Sequence, residues 1–199
     1  MKKSYYICSY GGSGSYLLQS FLKQFGETYH IHSRSLPSEI TKVHREKFTD
    51  EIEDNNQKGF VIYIYSKPAH SLLSRASYGN LHWLNIEVPS SVAHLIPGRE
   101  EREKYFELKE DLINYEQFWD NYVFHKSSFP VLCLNFHHLW ENLKALCDFC
   151  EIDDSNINHF PQKRNPSHKN NIPEDKNNLF TSLNNKIDTF PEAFIIPGK

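Results

Sequence analysis

The chain has 199 residues, 22 Lys and Arg against 25 Asp and Glu, a formal net charge of −3, and 39% apolar and 14% aromatic residues. That length suffices for one domain with a real core, and the slightly acidic balance gives no basis for general nucleic-acid binding. No apolar run approaches the roughly 20 residues of a membrane span, and the start "MKKSYYICSYGG" lacks a signal-peptide core. The expectation is a cytoplasmic protein whose first strand begins almost at once.

In chain order, residues 5–9 read as a buried strand that breaks into Gly-Gly-Ser-Gly-Ser and resumes as a helix over 15–25, apolar at 17, 18, 21, 22 and 25. Gly26 fits a helix stop. A second strand is expected at 29–32, a weaker charged helix at 39–55, and a third strand at 60–65 ("FVIYIY"). Pro68 suits the first turn of a helix over 69–78. Residues 99–124 read as a long helix or helix pair, whose charge run 98–111 is a solvent-facing surface with opposite-sign neighbours such as Glu100 and Lys104. A fourth strand is expected at 131–136 and a helix at 139–150. From about 153 the chain turns polar and asparagine-rich, a loop-rich tail with one short helix near 177–186.

Near-continuous apolar strands separated by helical patterns indicate a doubly wound α/β domain over 1–199. The expected architecture is a three-layer sandwich with a central parallel sheet and a P-loop-like phosphate-binding loop. Cys8 and Cys133 fall in strands, and Cys147 and Cys150 on a helix's apolar face, so all four read as core thiols.

The strand–glycine–helix unit at 7–26 has the shape of an anion cradle. N–H groups of the turn and of the first helical residues point outward, and the helix dipole adds to them. Gly11, Gly12 and Gly14 permit positive φ, and Ser13 and Ser15 add hydroxyls. Neither the lysine-bearing Walker pattern nor the dinucleotide glycine fingerprint is present. By spacing alone, an anion site and a plain tight turn both stand.

Three segments resemble one family. "SYGGSGSYLL" (9–18) looks like the 5′-phosphosulfate loop of cytosolic and Golgi sulfotransferases, Thr-Tyr-Pro-Lys-Ser-Gly-Thr-Thr. "VIYIYSKPAHSLLSR" (61–75) is similar to the family's 3′-phosphate element, a strand ending in Tyr-Arg-Asn-Pro with a serine eight residues after the arginine. "FPVLCLNFHHLWENLKALCDFCEI" (129–152) looks like the late strand and following helix. The family lysine falls on Gly12, the arginine on Ser66, and Tyr-Glu-Asp becomes Phe136-His137-His138.

The resemblance implies 3′-phosphoadenosine 5′-phosphosulfate as co-substrate, with no metal. The 5′ group would be held by Gly11, Gly12, Ser13, Gly14, Ser15 and Tyr16. Ser66, Lys67 and Ser74 would serve the 3′-phosphate, with Arg75 close by, and Lys163 and Arg164 would supply the late basic closing loop. Lys67, Arg34 or a tail residue is left to replace the loop lysine. "YHIHSRSLP" stands where the family carries Lys-Thr-His, which puts His32 on the base position and His30 on the lysine's. Alternation places both on one strand face. The implied reaction is sulfuryl transfer to a hydroxyl or amine of a carbohydrate or small molecule. Tyr78, His82 and Trp83 are candidates to line the acceptor pocket, with packing on the sheet as the alternative. Two rival functions stand beside it: a non-catalytic nucleotide-binding module and a small P-loop kinase-like phosphotransferase.

Overall fold

The computed structural model describes residues 2–32, 34–36, 57–77, 110–163 and 178–199. The expected helix at 39–55, the aromatic connection carrying Tyr78, His82 and Trp83, most of the charge run at 98–111, the side chain of Arg75, and Arg164 lie outside the described residues.

Strands β1 (Lys2–Cys8), β2 (Glu27–Ile31), β3 (Gln57–Tyr65), β4 (Val131–Asn135) and β5 (Ala193–Ile196) form one sheet in the order β2-β1-β3-β4-β5. The first four run parallel, and β1, β3 and β4 have the apolar character of strands covered on both faces, whereas the edge strand β2 is half-buried at four of its five positions rather than buried as expected. β5 pairs antiparallel with β4, so the sheet is mixed rather than wholly parallel. The expected strands fall on β1 to β4. β1 and β3 extend further toward their N-termini because polar ends pair across them, Lys2 opposite Gln57 and Lys3 opposite Lys58.

Helices α1 (Ser15–Leu22), α2 (Pro68–Ser77), α3 (Tyr115–Val123), α4 (Leu143–Cys150) and α5 (Thr181–Thr189) flank the sheet. Strand alternation decides which face each covers. Tyr5, Ile7, Ile62 and Leu134 point to α1 and α4, where they meet Leu18, Phe21 and Leu146. Tyr6, Cys8, Tyr63 and Cys133 point the other way, onto α2, α3 and α5. That second face is an aromatic stack: Tyr63 lies 4.2 Å from Tyr122, and Trp119 packs edge-on to Phe190 at 4.9 Å. Burying each such ring contributes about 1.5–3 kcal/mol. All four cysteines are buried free thiols, with Cys147 and Cys150 on the core side of α4, as their spacing predicted.

Two expected helices begin later than expected. α4 starts at Leu143, because a short 3-10 turn, Phe136–His138, follows β4 and the Asn135 side chain accepts its His137 N–H at 3.1 Å. The tail helix is α5, four residues beyond the expected start. Among the described residues, no helix is long and apolar enough to cross a membrane.

Candidate functional site

The parallel strands all end on one side of the sheet. After β1 the chain moves to β2 on one flank, and after β2 it returns to β3 on the other, so the order reverses between β1 and β3. Ligands of open α/β sheets sit outside the strand carboxyl ends at such a switch point. Here that place is occupied by the glycine loop 9–15, by Ser66 and Lys67 after β3, by His32 after β2, and by Phe136 and His137 after β4.

The loop's backbone is left-handed at Gly11 (φ 83°), Gly12 (φ 66°) and Gly14 (φ 79°). The Gly11 N–H is taken by Ser9 Oγ at 3.2 Å. Among the described residues, the next five N–H groups, Gly12 to Tyr16, donate to no protein acceptor; the first helical bonds come from Leu17 and Leu18 to the Gly14 carbonyl. Five successive unspent donors at the start of an eight-residue helix make an electropositive stretch of backbone.

Contacts on either side of the loop explain the absent lysine. A Cβ on Gly12 would lie 2.3 Å from the Ser71 carbonyl oxygen of α2, and one on Gly14 would lie 2.2 Å from the Phe136 ring. The loop is wedged between the elements that follow β3 and β4. No side chain fits at position 12 without displacing backbone.

The serines divide by burial. Ser13 donates its hydroxyl to the Ile64 carbonyl at 3.0 Å, and Ser66 and Ser71 share a hydrogen bond at 2.6 Å, all three buried. The Ser66 N–H donates to the hydroxyl of Tyr10, a phenol that burial keeps neutral. The Ser13 hydroxyl ties the loop to β3. Ser15 is buried at the start of α1, and Ser74 is half-buried on α2. Tyr16 is 73% exposed, projecting from the first turn of α1.

His30 and His32 share one face, as expected, with ring centroids 4.3 Å apart, and Tyr16 packs edge-on to His30 at 4.9 Å. His32 Nδ1 lies 3.0 Å from the Ser9 carbonyl. A carbonyl only accepts, so Nδ1 carries the hydrogen and Nε2 carries the basic lone pair of the neutral ring. The strand end thus aims a defined tautomer beside the loop.

The cations are placed less directly. Lys67 pairs with Asp188 at 2.8 Å, Lys163 pairs with Glu141 at 3.2 Å and lies over the Trp140 ring, and Arg34 donates to the Ile113 carbonyl at 2.7 Å. None of these contacts is to the loop.

A second histidine pair escaped the sequence reading. His70 of α2 and His137 after β4 meet edge to face at 4.5 Å, next to the residues that wedge the loop. Burial first, then His70, His138 and the two lysines, push His137 down to about 4; burial and Lys67 lower His70. The signal was present as "PAHS" and "FHHL", each two to five residues past a strand end, but only the strand pairing joins them.

A pH dependence follows. In the unfolded chain His137 protonates near 6.5, in the folded chain near 4, so acid favours unfolding across that window. Solvent screening at a half-buried ring reduces the effect to roughly 1–2 kcal/mol. Urea midpoints are expected to fall as the pH drops through the window, and His137→Gln to fall less than the parent. Parallel profiles for the two proteins would refute the assignment.

No protein-family model, curated protein or solved structure matches the chain.

Proposed function

We propose that the chain is a sulfotransferase-like protein that binds 3′-phosphoadenosine 5′-phosphosulfate at loop 9–15 and passes its sulfuryl group to a hydroxyl or amine, on a carbohydrate or small molecule. The observation that carries this reading is the run of five unspent N–H groups from Gly12 to Tyr16, with His32 oriented beside it. The donors suit a phosphosulfate's oxygens, which gain from backbone N–H groups and a helix start without needing a side chain.

The co-substrate supplies an activated sulfuryl group on a phosphate leaving group. His32 Nε2 takes the acceptor's proton as the acceptor oxygen bonds to sulfur and the sulfur–bridging-oxygen bond breaks. The loop donors hold the charge that gathers on the departing phosphate. Exposed Tyr16 offers an aromatic face beside His30 and His32, suited to a sugar or phenol ring.

Gly12 favours a second reading, a module that binds the nucleotide without turnover, because position 12 carries no cation and the packing at Ser71 leaves no room for a side chain there. A magnesium-dependent kinase is less apt. The described ends of β3 and β4 carry Ser66-Lys67 and Phe136-His137 where a metal-binding carboxylate is needed.

Thermal denaturation tests the nucleotide class. At about 100 times its dissociation constant, 3′,5′-adenosine bisphosphate is expected to stabilise the chain by about 2.7 kcal/mol, a rise of roughly 5–11 °C, with ATP–magnesium doing less. The reverse order sinks the proposal.

A further inference from the structure

His70 and His137 are used by nothing described so far. Their rings meet at 4.5 Å, and His137 Nε2 is buried without a hydrogen-bond partner among the described residues. A buried imidazole nitrogen with no partner is costly unless something fills the position. Three further basic groups, Lys67, His138 and Lys163, face the pair, each with a carboxylate partner. Lys67 precedes α2 and pairs with Asp188 of α5, and His138 pairs with Glu192 at 2.8 Å. Lys163 lies 3.5 Å from the His137 carbonyl and pairs with Glu141. Each carboxylate holds its partner in an exposed pair of small net worth, readily exchanged for another oxyanion.

We propose that His70 and His137, flanked by Lys67 and Lys163, form a second oxyanion subsite on the side of the glycine loop away from His32, and that it takes up a proton together with a phosphate or sulfate group. The chemistry is selective. Neutral imidazoles sit among cations, and an entering dianion lets a ring hold a proton that the empty site disfavours. The protonated ring then donates to the oxyanion from Nε2, and the lysines supply charge. The inference deepens the nucleotide reading by giving the ligand's second anionic group a place, but the site stands on its own residues and would equally take a free oxyanion.

Inorganic sulfate is the probe, since it stays dianionic across the relevant range. Histidine-ring NMR of the intact chain, with chloride at equal ionic strength as control, is expected to show the His70 or His137 protonation midpoint rising on sulfate addition. Sulfate affinity should rise close to tenfold per pH unit on acidification, the slope of one coupled proton, and lose that slope in His137→Gln. The same variant should weaken 3′,5′-adenosine bisphosphate more than adenosine 5′-phosphate if the second anion belongs to the nucleotide, and both equally if the subsite serves a separate oxyanion. Ring signals and pH slope indifferent to sulfate in the unmutated chain overturn the inference, whatever the variant does. Sulfate coupling without nucleotide binding overturns the nucleotide reading and leaves this one standing.

Discussion

Gly12→Lys, which places the sulfotransferase lysine in the loop, is expected to destabilise the protein by about 2–5 kcal/mol rather than improve the site. Two costs add. A non-glycine residue at φ 66° is strained by roughly 1–2 kcal/mol. Its Cβ would then stand 2.3 Å from the Ser71 carbonyl, a backbone atom of α2 that cannot turn aside, and forcing atoms into a packed site costs typically 1–3 kcal/mol. Set against a total stability of about 5–15 kcal/mol, this is a large fraction. The urea midpoint measures it. Gly12→Ala should show most of the same loss, because the clash begins at Cβ; a lysine variant as stable as its parent would mean that the loop does not pack on α2. Gly14→Ala gives a graded comparison, since the atoms in its way belong to the Phe136 ring, which can rotate.

This contact marks where sequence reasoning stopped. The four parallel strands and the start of α2 were legible, because short β-branched and aromatic runs and a proline at a helix's first turn are local signals, although the half-burial of β2 was not. β5 was not. "AFII" is four residues between prolines in a polar tail, half-exposed along its length, and it becomes a strand only by pairing with β4. The glycines announced a loop that needs positive φ, but the reason for Gly12 lies 59 residues away in the Ser71 carbonyl. His70 and His137 were hidden for the same cause. β3 and β4 pair in register with Tyr65 opposite Asn135, so whatever follows the two strand ends is brought together. His30 and His32 were easier, since strand alternation alone puts them side by side.

His32→Ala carries the largest expected functional effect. Under the proposed reaction it should lower the rate of sulfuryl transfer by roughly 10²–10⁴-fold, the usual contribution of a positioned general base. Affinity for 3′,5′-adenosine bisphosphate should change little, because the loop N–H groups belong to other residues and the His32 hydrogen bond to the Ser9 carbonyl involves none of them. That separation gives the experiment its force. A joint loss of binding and transfer would make His32 a brace for the loop rather than a base, and unchanged transfer would remove it from the chemistry. The parent rate should itself be low. Under the proposed reaction, a loop with glycine at position 12 forgoes a side-chain donor there worth about 2.7–4 kcal/mol, or roughly 10²–10³ in rate. Under the proposed reaction, His32 and the packing at Gly12 would each limit the rate of transfer, the first through the acceptor's proton and the second through the charge on the leaving group.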